Sequence, residues 1–218
     1  MKKGLRWAQA GLAIVLTLTI IGISVVGTLA FRPLYYRDME KLRIAEYSGY
    51  SEDEIRENYD ALIDYNMAWK DGDLSFPTLP MSETGKIHFE EVKEIFDIFK
   101  YLATFGGVLS VLGIVFMAKK KECRYLKMTA ILSCGLPVAL GILVALFWDR
   151  VFVIFHKIFF RNNYWIFDSR TDPVITILPD EFFMHCALMI FGGVLFGAAV
   201  CLVSYLILRR RIQTEHNS

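Results

Sequence analysis

The sequence predicts an all-α membrane protein, built as a four-transmembrane-helix bundle with a small, mostly helical extracytoplasmic cap. Of its 218 residues, 55% are hydrophobic, and the mean hydropathy is +0.40, above the usual range for soluble domains. The apolar residues are also concentrated in four stretches, each long enough to cover most or all of a hydrocarbon core of about 30 Å. Both observations indicate a chain that crosses the membrane four times.

The positions of these stretches define the expected topology within a single membrane domain, residues 1–218. We predict transmembrane helices at about 10–31, 96–118, 127–148 and 183–208. The first helix is predicted to be an uncleaved anchor, because its apolar run is longer than the about 7–15 residues of a signal peptide. The segments 32–95 and 149–182 are then two extracytoplasmic loops.

Basic residues predict the orientation. Lysine and arginine cluster before the first helix, in the short turn KKKECR between the second and third, and in the run Arg209–Arg211 after the fourth, whereas the long loops are acidic. Cytoplasmic segments near membrane helices carry an excess of Lys and Arg. We therefore expect a multi-pass protein of the cell membrane with both termini in the cytoplasm.

The first long loop contains two helical patterns. Ser51 and Glu54 form a capping box, which predicts a helix from there to about Trp69. From Phe89 to Phe99, apolar residues recur every three or four positions, which predicts an amphipathic extension of the second transmembrane helix. His88 is thus expected near the start of a long helix, at the level of the outer lipid headgroups.

The second long loop opens with FHKIFFRNNYW, residues 155–165, and is aromatic enough to lie in the membrane interface. Proline then marks turns at Asp172-Pro173 and Leu178-Pro179. His156, near the start of this loop, is expected at about the same depth as His88. The two imidazoles are therefore candidates for one site.

Histidine suits catalysis near neutral pH, because its reference pKa of about 6.5 allows it both to accept and to return a proton. The sequence contains no glycine-rich phosphate loop, His-Glu-x-x-His or Gly-x-Ser-x-Gly motif that would indicate another chemistry. An interfacial histidine can instead simply bond to headgroups. Glu90 or Glu91 could orient an imidazole, and His185 is assigned to helix packing. We expect no metal or other cofactor.

Three segments together resemble a known family: Tyr65-Asn66 after the capped helix, His88-Phe89 with Val92-Lys93, and the second loop FHKIFFRNNYWIFDSRTDPVITILPDEFF. They are similar to the Lit family of lipoprotein intramolecular transacylases, which are four-helix bacterial membrane proteins. The resemblance implies an acyltransferase that moves the sn-2 acyl chain of a diacylglyceryl-modified N-terminal cysteine onto that cysteine's α-amino group, giving lyso-form lipoprotein.

The resemblance also implies roles for particular residues. The catalytic pair would be His88 and His156, sharing the acid and base roles on the extracytoplasmic side. The residues expected to contact the substrate are Tyr65, Asn162, Asn163, Trp165, Arg170 and Asp172. The partners would be a diacylglyceryl lipoprotein and membrane lipid, with no nucleic acid.

Two other classes of function remain open from the sequence. A non-catalytic accessory or sensor protein with an acidic extracytoplasmic cap would tolerate substitution of both histidines but not of clusters such as Glu52–Glu57. A metal-dependent membrane hydrolase would lose its activity on strong chelation.

Overall fold

The computed structural model describes residues 3–69 and 72–217, and the ordered elements of these residues are helices without any strand. The predicted all-α class is confirmed. In chain order the helices are α1 (Lys3–Ala30), α2 (Pro33–Lys41), α3 (Ile44–Ser48), α4 (Glu52–Met67), α5 (Glu83–Lys119), α6 (Arg124–Phe159), α7 (Val174–Ile177) and α8 (Asp180–Asn217).

Four of these helices, α1, α5, α6 and α8, are long and apolar enough to cross a membrane. Large apolar side chains such as Phe105, Leu112 and Phe196 are more than 60% exposed on them. A soluble protein rarely leaves apolar surface of this extent in water, whereas lipid tails solvate it. The chain is therefore a multi-pass membrane protein.

Contacts between residues divide the described chain into two compact units. The first combines Met1–Val26, Phe99–Ile142 and Met189–Ser218, and the second combines Gly27–Ile98 and Leu143–Leu188. Each long helix contributes one segment to each unit. Both candidate histidines belong to the second unit.

In the first unit, α1 packs closely against α5 and α8 through small residues. A Cβ atom at Gly22 would lie 2.8 Å from the backbone nitrogen of Ala103 on α5, and one at Gly193 on α8 would lie 2.8 Å from Ser24 Oγ. Thr19 and Ser110 also bring their hydroxyl oxygens to 3.3 Å across the α1–α5 contact. Small residues and hydroxyl pairs of this kind hold membrane helices together, because lipid provides no hydrophobic driving force between them.

In the second unit, α4 begins with the N-terminal cap that the sequence predicts. The Ser51 hydroxyl accepts a hydrogen bond from the Glu54 backbone N–H at 3.3 Å, and the helix ends at Met67. The two short helices α2 and α3 were not predicted individually. α2 starts at Pro33, a residue that suits the first position of a helix because it has no N–H to satisfy.

The third long helix differs from the prediction at its C-terminal end. The predicted span ends at 148, and Phe147 indeed leaves helical geometry, with φ −139° and ψ 40°. The chain then resumes the helix as far as Phe159. His156 therefore lies on the last turn of a helix, which fixes the direction of its side chain.

Candidate active site

His88 lies on the second turn of α5 and is almost fully buried, with 5% of its surface exposed. Aromatic rings surround it: the ring centroids of Phe160 and Phe167 are 4.7 and 5.4 Å from that of His88. Its Nδ1 atom is enclosed and has no hydrogen-bond partner among the described residues. This imidazole therefore has one ring nitrogen sealed inside the protein.

His156 lies on the last turn of α6, where its Nδ1 is 2.8 Å from the backbone oxygen of Phe152. A carbonyl oxygen only accepts, so Nδ1 carries the proton and donates it. In the neutral ring this leaves the lone pair on Nε2. The ring itself is held between Phe152, at a centroid distance of 4.2 Å, and Trp165, at 4.7 Å and nearly parallel.

The structure brings the two imidazoles together. Their ring centroids are 6.2 Å apart and their planes are inclined by 32°. Phe160 contacts both rings, at 4.7 Å from His88 and 5.6 Å from His156. Since residues 68 positions apart in the chain meet within one aromatic cluster, a small group placed between them would be reached from both sides.

Several aromatic contacts of this cluster were missed by the sequence analysis. Phe152 and Phe160 precede and follow His156 by four residues, a spacing that places side chains on one face of a helix. The signal is present in FVIFHKIFF, residues 152–160, but the aromatic content of this segment predicts an interfacial loop, whereas most of it forms the end of α6. Phe167, which contacts both His88 and Phe89, carried no such signal.

Trp165 is the predicted substrate residue that lies closest to the histidine pair. It stacks on His156 with an interplanar angle of 29°. Its indole Nε1 is enclosed and has no hydrogen-bond partner in the described part of the chain. A buried N–H without an acceptor is unfavourable by about 1–3 kcal/mol, so this donor is suited to an acceptor on a bound ligand.

Asn162 joins the second loop to α5. Its Nδ2 donates to Glu91 Oε1 at 2.8 Å, one helical turn beyond His88. Glu91 thus bonds to the second loop, whereas Glu90 is exposed, and the orientation of an imidazole by either carboxylate stays a prediction. The neighbouring Asn163 is also exposed, and its backbone oxygen accepts from Ile166 N–H at 3.1 Å.

Asp172 also fastens the second loop to α5, but at the start of that helix. It is 2% exposed, and its carboxylate accepts from the Ser82 backbone N–H and from the Thr171 hydroxyl, both at 2.7 Å. A Cβ atom at Gly85 would overlap this carboxylate, so glycine permits the close approach one turn before His88. These contacts support a positioning role for Asp172.

We expect Asp172→Ala to destabilise the protein by about 2–4 kcal/mol, because two donors lose a buried carboxylate acceptor. Thermal unfolding in detergent, followed by tryptophan fluorescence, measures the effect. Asp168→Ala is the matched control, since this carboxylate is exposed in the same loop. Equal unfolding temperatures for the two variants would contradict the assignment.

Arg170 forms an ion pair within its own loop, and Tyr65 contacts a lysine of α5. The Arg170 side chain is 86% exposed and pairs with Asp168 at 2.6 Å, and this pairing lowers the pKa of Asp168 to about 2. The structure does not bring Arg170 into contact with either imidazole. Tyr65, on α4, has the Lys93 ammonium 5.4 Å from the centre of its ring.

A third histidine, His185, is partly exposed and pairs with a buried carboxylate. His185 Nδ1 is 2.7 Å from the Oδ2 atom of Asp38, a carboxylate with no exposed surface. Arg37 lies 3.3 Å from the other oxygen of Asp38. These residues are 147 positions apart, so no local pattern in the sequence could have indicated the pair.

We expect His185→Phe to destabilise the protein by about 1–3 kcal/mol, since it removes the imidazole partner of a buried carboxylate that keeps its contact with Arg37. The double variant Asp38→Leu/His185→Phe is the control and should lose less, because it removes both polar groups. Chemical unfolding in detergent compares the two. A double variant less stable than the single one would refute this account of the pair.

The fold and the histidine pair together define a class: helical multi-pass membrane proteins with a histidine-centred, aromatic-lined candidate active site. A sequence model of the lipoprotein intramolecular transacylase Lit family matches residues 10–183, and the chain belongs to this family. The predicted resemblance is confirmed, and so is the prediction of an acyltransferase over a non-catalytic accessory protein. A search of curated proteins finds no match.

The fold is similar to that of the membrane integral Lit from Bacillus cereus. One in meso structure of that protein superposes with a TM-score of 0.93 at 34% sequence identity, covering 96% of this chain and 97% of the other. Two further structures, with one histidine replaced by arginine or by alanine, each give a TM-score of 0.86 at the same identity. In both, 96% of this chain is covered, and 94% and 95% of the other chains.

Proposed function

We propose that this protein moves the sn-2 acyl chain of a diacylglyceryl-modified lipoprotein cysteine onto the α-amino group of the same cysteine, with His88 and His156 as its catalytic residues. The observation that carries the proposal is the approach of the two imidazoles to 6.2 Å within an aromatic cluster. Two structures of the relative from Bacillus cereus have one histidine replaced, and they also direct the proposal to the histidines of this chain.

The hydrogen bond from His156 Nδ1 to the Phe152 carbonyl supports the role of general base for His156. Because this bond keeps the proton on Nδ1, the lone pair of Nε2 is available to accept another. The amine of the substrate has a reference pKa of about 7.7–8.0, so a neutral fraction exists near pH 7. His156 would remove one proton from the nitrogen of this neutral amine as it attacks the ester carbonyl.

The enclosed Nδ1 of His88 supports a different role for the second imidazole. A buried N–H without an acceptor is rarer in proteins than a buried acceptor without a donor. The neutral tautomer with its proton on Nε2 is therefore favoured at His88. From Nε2 this ring would donate a hydrogen bond to the carbonyl oxygen as negative charge develops there, as the donors of an oxyanion hole do.

The reaction then balances without a nucleophile from the protein. A carbon–nitrogen bond forms between the amine and the acyl carbon, and His156 takes one proton from that nitrogen. The bond from the acyl carbon to the glycerol oxygen breaks, and His156 returns the proton to this oxygen. Because both reacting groups belong to one molecule, holding them together supplies much of the rate enhancement.

The remaining residues of the site would hold the lipid substrate. The Trp165 N–H is a candidate second donor to the oxyanion, while Asn162 and Asp172 hold the loop against α5. Asn163, Arg170 and Tyr65 are proposed to contact more distant parts of the lipoprotein. The site is proposed to face the extracytoplasmic side, where lipoproteins carry their modified cysteines, and to use no metal or other cofactor.

The test uses a synthetic diacylglyceryl lipopeptide without lysine, incubated with the purified protein in the presence of a chelator. Transacylation leaves the lipopeptide mass unchanged, because the acyl chain stays in the molecule, but it removes the free amine. Reductive methylation followed by mass spectrometry therefore distinguishes the outcomes. We expect unchanged mass with a blocked amine. Loss of an acyl chain with a free amine would indicate a hydrolase and overturn the proposal, as would an unreacted lipopeptide.

A further inference from the structure

A cavity in the first unit contains neither residue of the histidine pair. It has a volume of about 400 Å³ and lies between the turn that joins α5 to α6 and the last turns of α8. Four of its lining side chains are basic: Lys121, Arg124, Lys127 and Arg209. The transacylase chemistry proposed above makes no use of it.

The acidic side chain at this cavity does not balance the positive charge. Glu122 is the lining residue that carries a carboxylate, and one of its oxygens accepts from Gln9 Nε2 at 3.0 Å. Within the described residues, Arg124, Lys127 and Arg209 form no ion pair. These three positive charges therefore line one hollow without an ion pair from the described part of the chain.

The backbone increases this imbalance. Arg124 is the first residue of α6 and Lys127 follows within the first turn, where the helix dipole adds about half a positive charge. Cations near a helix N-terminus are therefore unfavourably placed. An anion bound in the cavity would relieve both this effect and the mutual repulsion of the side chains.

The turn between α5 and α6 keeps a further cation at the cavity. Lys121 has φ 53°, in the left-handed region that usually favours glycine at the end of a helix. Backbone bonds from Lys121 N–H to Ala118 O and from Glu122 N–H to Met117 O, both 3.0 Å, close this end of α5. The turn thus carries a lysine in a position that most side chains avoid.

α8 contributes its cation from the opposite side. Arg209 of α8 lines the same cavity as the turn residues Lys121 and Cys123. Beside it, Tyr205 and Ile212 pack against the apolar cluster of the first unit. The cavity therefore combines basic groups with an apolar wall, as a lipid headgroup site does.

We propose that this cavity binds the phosphate of an anionic phospholipid headgroup. Guanidinium groups bind phosphate oxygens through paired hydrogen bonds, and basic pockets between membrane helices are known to hold phospholipid headgroups. Arg124 and Arg209 approach from two different helices, and Lys127 adds a third charge. The Tyr205 hydroxyl and the Gln213 amide offer neutral donors for the rest of the headgroup.

Native mass spectrometry of the purified protein tests this site by titration with phosphatidylglycerol and with phosphatidylcholine of the same acyl chains. We expect at least tenfold tighter binding of phosphatidylglycerol, and loss of most of that preference in Arg124→Gln/Lys127→Gln. The matched control is Lys119→Gln/Lys120→Gln, which removes two charges nearby that do not line the cavity. Equal binding of the two lipids, or the same loss in the control, would overturn the proposal.

Two further measurements keep the test decisive. Unfolding temperatures in detergent show whether the double variant is folded, and Arg209→Gln replaces it if it is not. Inorganic phosphate added at millimolar concentration distinguishes the source of the phosphate group. Persistence of the phosphatidylglycerol adducts supports a lipid site, whereas their complete displacement would show a site for free phosphate and refute the lipid assignment.

Discussion

Replacing His156 with glutamine is expected to lower the rate of acyl transfer by about 10²- to 10⁴-fold, the usual contribution of a general base. Glutamine keeps a polar side chain of similar length on the last turn of α6. It can donate toward the Phe152 carbonyl as the imidazole does, but it cannot accept a proton near neutral pH. The loss should therefore appear in kcat, with a smaller change in KM.

The control for this variant is Lys157→Gln, a substitution of the exposed neighbouring residue. Both variants should have wild-type unfolding temperatures in detergent. Amine blocking of the lipopeptide, followed over time, gives the two rates. A His156→Gln enzyme that blocks the amine as fast as the control would remove this residue from the mechanism.

The second large effect is expected for His88→Phe. The imidazole lies among Phe89, Phe160 and Phe167, so a phenyl ring suits the surroundings and removes the enclosed Nδ1 that has no partner. We expect an unfolding temperature equal to or above that of the wild type. The rate of transfer should nevertheless fall by about 10²–10³-fold, because the donor to the oxyanion is lost.

If His88→Phe is at least as stable as the wild type but less active, His88 serves catalysis and is not needed for packing. Glu90→Gln, two residues along α5 and exposed, serves as the control. The double variant His88→Phe/His156→Gln should be little slower than either single variant, since residues that act as a unit are not additive. Unimpaired transfer by His88→Phe would exclude the oxyanion role.

The sequence predicted the features that depend on length and periodicity. Four apolar runs give four long helices because each must satisfy its backbone groups internally within lipid. The capping box at Ser51 and the amphipathic run after His88 are equally local, and both lie on helices as expected. Depth in the membrane then restricted the two histidines to one layer, which is why their proximity could be predicted without coordinates.

The features that were missed depend on contacts between distant residues. The helices α2 and α3 have nine and five residues, too short to be stable alone, and buried side chains such as Tyr35 and Met39 hold α2 in place. The pair of Asp38 with His185 requires the same packing. The ion pair of Arg170 with a carboxylate two residues away could not be predicted either, and the substrate contact of Arg170 stays a prediction.

The close contacts of α1 in the first unit also constrain how the chain is made. Gly193 and Gly197, which admit Ser24 and Ile20 of α1, belong to α8, which is translated after α1, α5 and α6. The first unit therefore cannot finish assembling until translation has passed residue 197 and α8 has been inserted. Until then, lipid or the insertion machinery must cover the side of α1 that later contacts α8.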